Sequence, residues 1–209
     1  MNKKAKKSGG AQRKGNFLKG RTAVFIDAAN IERSLADLGT DPPRIKKLRK
    51  GFRWKPFPKG YWKMDYKKLR RFFLKESKLV SMNFYSARFW TESHDGFLAF
   101  LKRNGYRLLT KSVKEVGLTE KHRKANFDVE IAVDAVSWMS NYDTLVLFSG
   151  DSDFAYLLEF LRRKRKNIVV ISQRGHIAKE LVMVANFYRD IYKFRNDFLR
   201  VDEKQKSRQ

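Results

Sequence analysis

A chain of 209 residues with 47 Lys and Arg against 22 Asp and Glu carries a formal charge of +25. An excess of this size predicts a polyanionic partner, with nucleic acid preferred to an anionic membrane surface because no basic amphipathic helix with an apolar anchor face stands out. The chain has no Cys, which excludes disulfides, thiolate metal sites and Cys nucleophiles, and its three His are scattered, which argues against a His-based zinc site.

Residues 1–20 hold Lys, Arg, Gly and Ser without apolar periodicity and read as a basic disordered tail. No apolar h-region follows that tail and no run approaches the ~18 apolar residues of a membrane span, so a soluble, cytoplasmic protein is expected. The domain is placed at residues 21–200. It opens with Thr22-Ala-Val-Phe-Ile-Asp27, an apolar run ending in an acid, as a buried parallel strand does. A short helix is expected from about Asn30 to Leu38. The stretch from about 42 to 63 follows Asp41-Pro42-Pro43, interleaves cations with aromatics, contains no acid, and reads as an insertion. From Asp65, Leu69, Phe72 and Phe73 recur at helical spacing.

A second strand is expected at about Leu79–Phe89, a helix at Glu92–Asn104 and a third strand at Arg107–Val113. A surface loop then leads to a helix at about Asp128–Ser140. A fourth strand, Thr144-Leu-Val-Leu-Phe-Ser149, precedes a turn and a helix reaching about Arg165. Asn167–Ser172 is a fifth strand, about His176–Asn186 a final helix, and residues 201–209 a C-terminal tail. Strands alternating with helices imply an α/β fold, a mostly parallel sheet covered on both faces.

One window breaks the basic pattern. Between Ala125 and Leu161 there is no Lys or Arg, where the chain-wide frequency would place roughly eight. The window holds Asp128, Glu130, Asp134, Asp143, Asp151, Asp153 and Glu159. In open α/β sheets ligands bind at the carboxyl ends of strands. Asp27 ends the first strand, Asp151 follows the fourth, Asp153 lies in the next turn and Asp128 starts a helix. Clustered carboxylates need a compensating cation, and hard oxygen ligands favour Mg²⁺ or Mn²⁺. Each acid alone also reads as a helix cap or turn former. Asp134, rotated roughly 120° from Asp128 on an ideal helix, is expected to support the pocket or the structure.

The motifs Phe25-Ile-Asp27-Ala-Ala-Asn30, Lys124-Ala-Asn-Phe-Asp128-Val-Glu-Ile-Ala-Val-Asp134 and Leu147-Phe-Ser149-Gly150-Asp151-Ser152-Asp153-Phe154 carry a resemblance. The sequence resembles the NYN domain family, LabA-like branch, of the PIN-like nuclease superfamily, over about Arg21 to Phe194. The resemblance implies a PIN-like Rossmannoid three-layer sandwich with five strands in the order 3-2-1-4-5. It also implies a carboxylate pocket for Mg²⁺ or Mn²⁺. Carried over by position, Asp27, Asp128, Asp151 and Asp153 become the catalytic, metal-binding set, and Asn30 and Ser149 its polar support.

The expected activity is therefore that of a metal-dependent endoribonuclease, with RNA, single-stranded or structured, as partner. A non-catalytic RNA-binding module and a DNA-directed nuclease are the alternatives. Arg123 and Lys124 are candidates for the substrate phosphate, as are Arg162 and Arg163 in the run that ends the helix after Asp153. Those two also suit a helix C-terminus, where cations are favoured. Arg44, Lys46, Lys47, Arg53 and Trp54 sit in the aromatic and basic insertion, which resembles single-strand binders in mixing rings with cations. Trp62 belongs to the same stretch.

Overall fold

The computed structural model describes residues 17–36, 38, 61–112 and 126–202. Strand β1 (Arg21–Asp27) runs directly into helix α1 (Ala28–Ala36). Then come β2 (Tyr61–Met64), α2 (Tyr66–Glu76), β3 (Lys78–Arg88), α3 (Glu92–Arg103), β4 (Arg107–Ser112), α4 (Asp128–Ser137) and β5 (Thr144–Phe148). The chain continues through a 3-10 turn (Ser152–Phe154) into α5 (Ala155–Arg163), β6 (Asn167–Ser172), α6 (Lys179–Val184) and β7 (Phe187–Asp190). It ends in a further 3-10 turn (Ile191–Phe194), α7 (Arg195–Phe198) and β8 (Leu199–Asp202).

Six strands form one sheet in the order β4-β3-β1-β5-β6-β7, with every pairing parallel. The expected five-strand order is present and is extended by β7. Strand alternation sends β1 side chains to two cores. Val24 and Ile26 join Ile31 and Leu35 of α1, Leu69 and Phe73 of α2, Leu101 of α3 and Phe198 of α7. On the other face Ala23 and Phe25 meet Ile131 and Ala135 of α4, Leu158 and Leu161 of α5 and Leu181 of α6. Both faces of β5 and β6 are buried, which is why they read as continuous apolar runs.

Three boundaries differ from the sequence expectation. Phe17 is buried in the first core, and its carbonyl accepts from Asn167 Nδ2 at 2.9 Å, so the folded unit begins before residue 21. Val201 and Asp202 are paired with Trp62 and Tyr61 in an antiparallel β2–β8 ribbon, so the tail begins after residue 202 and the insertion ends before Tyr61. Trp62 is 7% exposed and meets the Tyr192 ring edge-on at 6.3 Å. It packs the core and offers no face to a base. The rest of the expected insertion, with Arg44, Lys46, Lys47, Arg53 and Trp54, lies outside the described residues, as do Arg123 and Lys124.

Candidate active site at the carboxyl edge

β1 and β5 are adjacent and in register from Thr22–Thr144 to Ile26–Phe148. Their carboxyl ends therefore emerge side by side, carrying Asp27 on one and Ser149-Gly150-Asp151 on the other. Because no loop separates β1 from α1, Asp27 is both the end of a strand and the cap of a helix. Its Oδ1 accepts the Asn30 N–H at 3.2 Å. Its Oδ2 accepts from the fully buried Ser149 hydroxyl at 3.1 Å.

The network continues without a break. Asn30 Oδ1 accepts the Gly150 N–H at 2.9 Å, and Ser149 Oγ accepts the Asp151 N–H at 3.2 Å. Asp151 Oδ1 in turn accepts the Asp153 N–H at 3.2 Å, capping the 3-10 turn. The simpler reading of Asp27 and Asp151 as caps is thus true of one oxygen each, and the caps fix where the carboxylates stand. Asn30 and Ser149, the polar candidates of the sequence, thus contact Asp27 directly, and Asn30 also holds Gly150.

Gly150 is held more tightly than any motif suggested. A Cβ there would lie 1.8 Å from the His176 carbonyl oxygen and 2.9 Å from Ser172 Oγ. The loop after β6 lies directly against it, and the Ala178 N–H donates to the Gly150 carbonyl at 2.9 Å.

Asp128 enters from the first turn of α4, where Asn126 Oδ1 accepts its N–H at 2.8 Å. Lys111 of β4 pins this helix start. Its Nζ donates to the Asn126 carbonyl at 2.8 Å and pairs with Glu130 at 2.6 Å. Sequence reading missed Asn126 and Lys111. An Asn two residues before a helix acid is a recognisable local turn signal, whereas the Lys111 contact depends on tertiary structure.

The electrostatics of the edge are one-sided. Burial raises the Asp27 pKa above the ordinary carboxylate value, and the charges of Asp128 and Asp151 push it the same way against the lowering hydrogen bonds. Asp128 is raised too, first by burial, then by Asp151, Asp153 and Glu130. Asp27 thus lies within electrostatic reach of Asp128 and Asp151, and Asp128 of Asp151 and Asp153. None of the four makes an ion pair among the described residues. No three acidic or histidine side chains among the described residues are placed to hold one ion together.

Asp134 and the Arg162–Arg163 pair lie outside this network. Asp134 Oδ2 accepts from the Tyr85 hydroxyl at 2.8 Å and faces Arg107 at 3.7 Å, tying α4 to β3 and β4. Arg162 and Arg163 end α5, which starts beside the site and finishes near the amino end of β6, at the opposite edge of the sheet. There Arg162 donates to the Val184 carbonyl at 3.2 Å and Arg163 pairs with Glu159 at 3.1 Å.

The profile of the NYN domain matches residues 21–191. The chain belongs to the NYN domain family. NYN domains are nuclease-like domains of the PIN superfamily, and the match spans β1 through the start of the 3-10 turn after β7. The low amplitude and bright protein LabA of Synechococcus elongatus is 33% identical over 144 residues, 66% of this chain and 77% of that protein. An uncharacterized protein of Methanocaldococcus jannaschii is 28% identical over 115 residues, 48% of either chain. The crystal structure of a Vibrio parahaemolyticus protein of unknown function superposes with a TM-score of 0.64, covering 87% of this chain and 97% of that one. At 21% identity it supports the fold alone. No helix among the described residues is long and apolar enough to cross a membrane.

Proposed function

We propose that this NYN domain is a metal-dependent ribonuclease that hydrolyses RNA phosphodiester bonds at the carboxyl edge of its sheet. The observation that carries the reading is that the pKa values of Asp27 and Asp128 are raised by burial and by the charges of neighbouring acids, with Asp151 and Asp153 among them, and that none of the four is paired among the described residues of a chain of charge +25. Asp27 and Asp128, raised in this way, suit a cation from outside the fold in a protein so rich in Lys and Arg. All-oxygen donors fit a hard divalent ion, Mg²⁺ or Mn²⁺. The described side chains as placed do not close around a point, so the fit rests on donor chemistry and charge. Asp27, Asp128, Asp151 and Asp153 are the residues that would hold the metal. Such an ion, when bound, supplies Lewis acidity toward a phosphate oxygen and acidifies a water.

The chain's own part is positioning. Ser149 and the Asn30 N–H each engage one Asp27 oxygen and hold that carboxylate in a fixed orientation. Asn30 holds the Gly150 backbone, and through it the start of the Asp151 turn. Lys111 and Asn126 hold the first turn of α4, from which Asp128 projects. Groups fixed before the substrate arrives need no reorganisation during reaction. The surrounding positive charge concentrates polyanions near an edge that is itself negative.

A cleavage assay on generic unstructured RNA with Mn²⁺, comparing wild type with Asp151→Asn, tests the reading. The variant keeps its shape and should lose at least about 100-fold in rate, the scale of removing one preorganised charge contact, while RNA binding is retained. Products should carry 5′-phosphates and 3′-hydroxyls, because a water is the nucleophile. Cyclic 2′,3′-phosphate ends would sink the mechanism. The second reading, a non-catalytic RNA-binding module, draws on the absence of a preformed three-ligand cradle among the described residues. Wild-type protein that binds RNA and never cuts it with any divalent metal decides for that module.

A further inference from the structure

We propose that Trp90, backed by Arg88, is a stacking platform for an unpaired nucleobase of a single-stranded nucleic acid laid along the carboxyl edge. The inference builds on the nucleic-acid reading of that edge and narrows the substrate to strands with free bases.

β3 is longer than its neighbour on the site side. Tyr85 is the register partner of Asp27, the last residue of β1, while β3 and β4 stay paired to Arg88–Ser112. Three more residues of β3, ~10 Å at strand rise, therefore project past the acid site as a wall on one flank. Phe89 and Trp90 cap that wall. Trp90 is 67% exposed, although the smaller aromatics Phe84 and Tyr85 of the preceding strand are buried. A mostly exposed indole forgoes the burial that such a side chain normally gains.

Its orientation is nonetheless fixed. The Arg88 guanidinium lies 4.1 Å from the Trp90 ring centroid and is held by Asp95 at 3.3 Å. Phe89 meets the His94 ring edge-on at 5.2 Å. Thr91 accepts the His94 N–H at 3.3 Å and caps α3, which sets the backbone directly after Trp90. A cation on one face of the ring leaves the other for a ligand. Aromatic rings beside cations bind single strands because every base has a π-face. A duplex offers no such face, since its bases are already stacked and paired.

The test uses the full chain in EDTA, so that binding is read without hydrolysis. Fluorescence anisotropy would follow a labelled unstructured oligoribonucleotide, the deoxy strand of the same sequence, and a duplex of equal length. Trp90→Ala should weaken binding of the RNA strand, the DNA strand or both by about tenfold, the range of one lost base stack, and leave the duplex within about twofold. Trp90→Phe, which keeps a ring, should recover most of the affinity. Unchanged melting temperatures in both variants would show that the fold is intact. Single-strand affinity equal to wild type in Trp90→Ala, or an equal loss for strand and duplex, overturns the platform. This outcome is independent of catalysis. A platform can be demonstrated with no cleavage detected, and cleavage lost in Asp151→Asn stands even if Trp90 is inert.

Discussion

Aspartates stand at both edges of the sheet, and the fold treats them in opposite ways. At the amino edge Asp143, just before β5, accepts the Arg21 backbone N–H at 2.8 Å and its guanidinium at 3.1 Å. Those contacts bring the Asp143 pKa down to about 2. At the carboxyl edge Asp27 and Asp128 are pushed up by burial and by neighbouring acids. The first edge solves a structural problem with a partner from the same chain. The second leaves its charge unbalanced among the described residues, in a protein with cations to spare. The contrast separates an acid that staples strands from acids that, in the proposed function, await a ligand.

The sharpest way to break the carboxyl edge is Gly150→Ala. The added methyl would meet the His176 carbonyl oxygen at 1.8 Å, and backbone cannot yield as a flexible side chain does. Overpacking of this kind typically costs about 1–3 kcal/mol and sometimes more. Urea denaturation should show a lower midpoint with an unchanged slope. A variant as stable as wild type would mean that the loop after β6 is free to retreat.

Addition of Mn²⁺ or Mg²⁺ comes next. An ion that binds only the folded protein stabilises it by about 2.7 kcal/mol at one hundred times its dissociation constant. The melting temperature should therefore rise with metal in wild type and rise less in Asp151→Asn. An equal rise in both would place the ion away from the carboxyl edge.

What was legible in the sequence follows how local each signal is. The ends of β1 and β5 and the start of α4 were readable because a strand ending in an acid and an acid opening a helix are contiguous patterns, and the order of five strands followed from the resemblance. The β2–β8 ribbon was not readable. Tyr61–Lys63 looks like the end of a basic insertion and Val201–Asp202 like the start of a tail, and only the pairing of Tyr61–Met64 with Leu199–Asp202 makes either a strand. Phe17 was hidden for the same reason, a lone aromatic after a polar run whose burial depends on Phe187 and Phe194 far along the chain. At the site, the aspartates were visible as residue types. The fit of Gly150 against residues 176 and 178 and the hold of Lys111 on α4 are contacts between distant segments, with no mark in local pattern. The placement of Arg162 and Arg163 relative to the acids was not legible either. A cluster of cations near Asp153 in sequence lies one helix length from it in space.

The smallest expected effect is the most direct test of the contrast between the edges, because it is a difference in sign. Asp143→Asn removes an acid that the fold has paired, so it should lower the melting temperature at pH 7, modestly because the pair is exposed. Asp128→Asn removes an acid whose charge the fold opposes, so it should raise it. Against that gain stands the helix dipole, which favours a negative charge in the first turn of α4 by about 0.3–1 kcal/mol. The raised Asp128 pKa places burial and the three neighbouring acids above that term. The pH dependence follows from the two shifts. Asp143 is depressed on folding, so its contribution is complete above the unfolded carboxylate pKa and disappears as pH falls through about 2. Asp128 is raised on folding, so its cost is present at neutral pH and is relieved as pH falls through its folded value. The advantage of Asp128→Asn over wild type should therefore shrink on mild acidification, while the deficit of Asp143→Asn persists to lower pH. Melting curves of the three proteins at pH 7 and at mildly acidic pH measure both trends. A lowered melting temperature in both variants would mean that the carboxyl-edge acids, like Asp143, are held for stability.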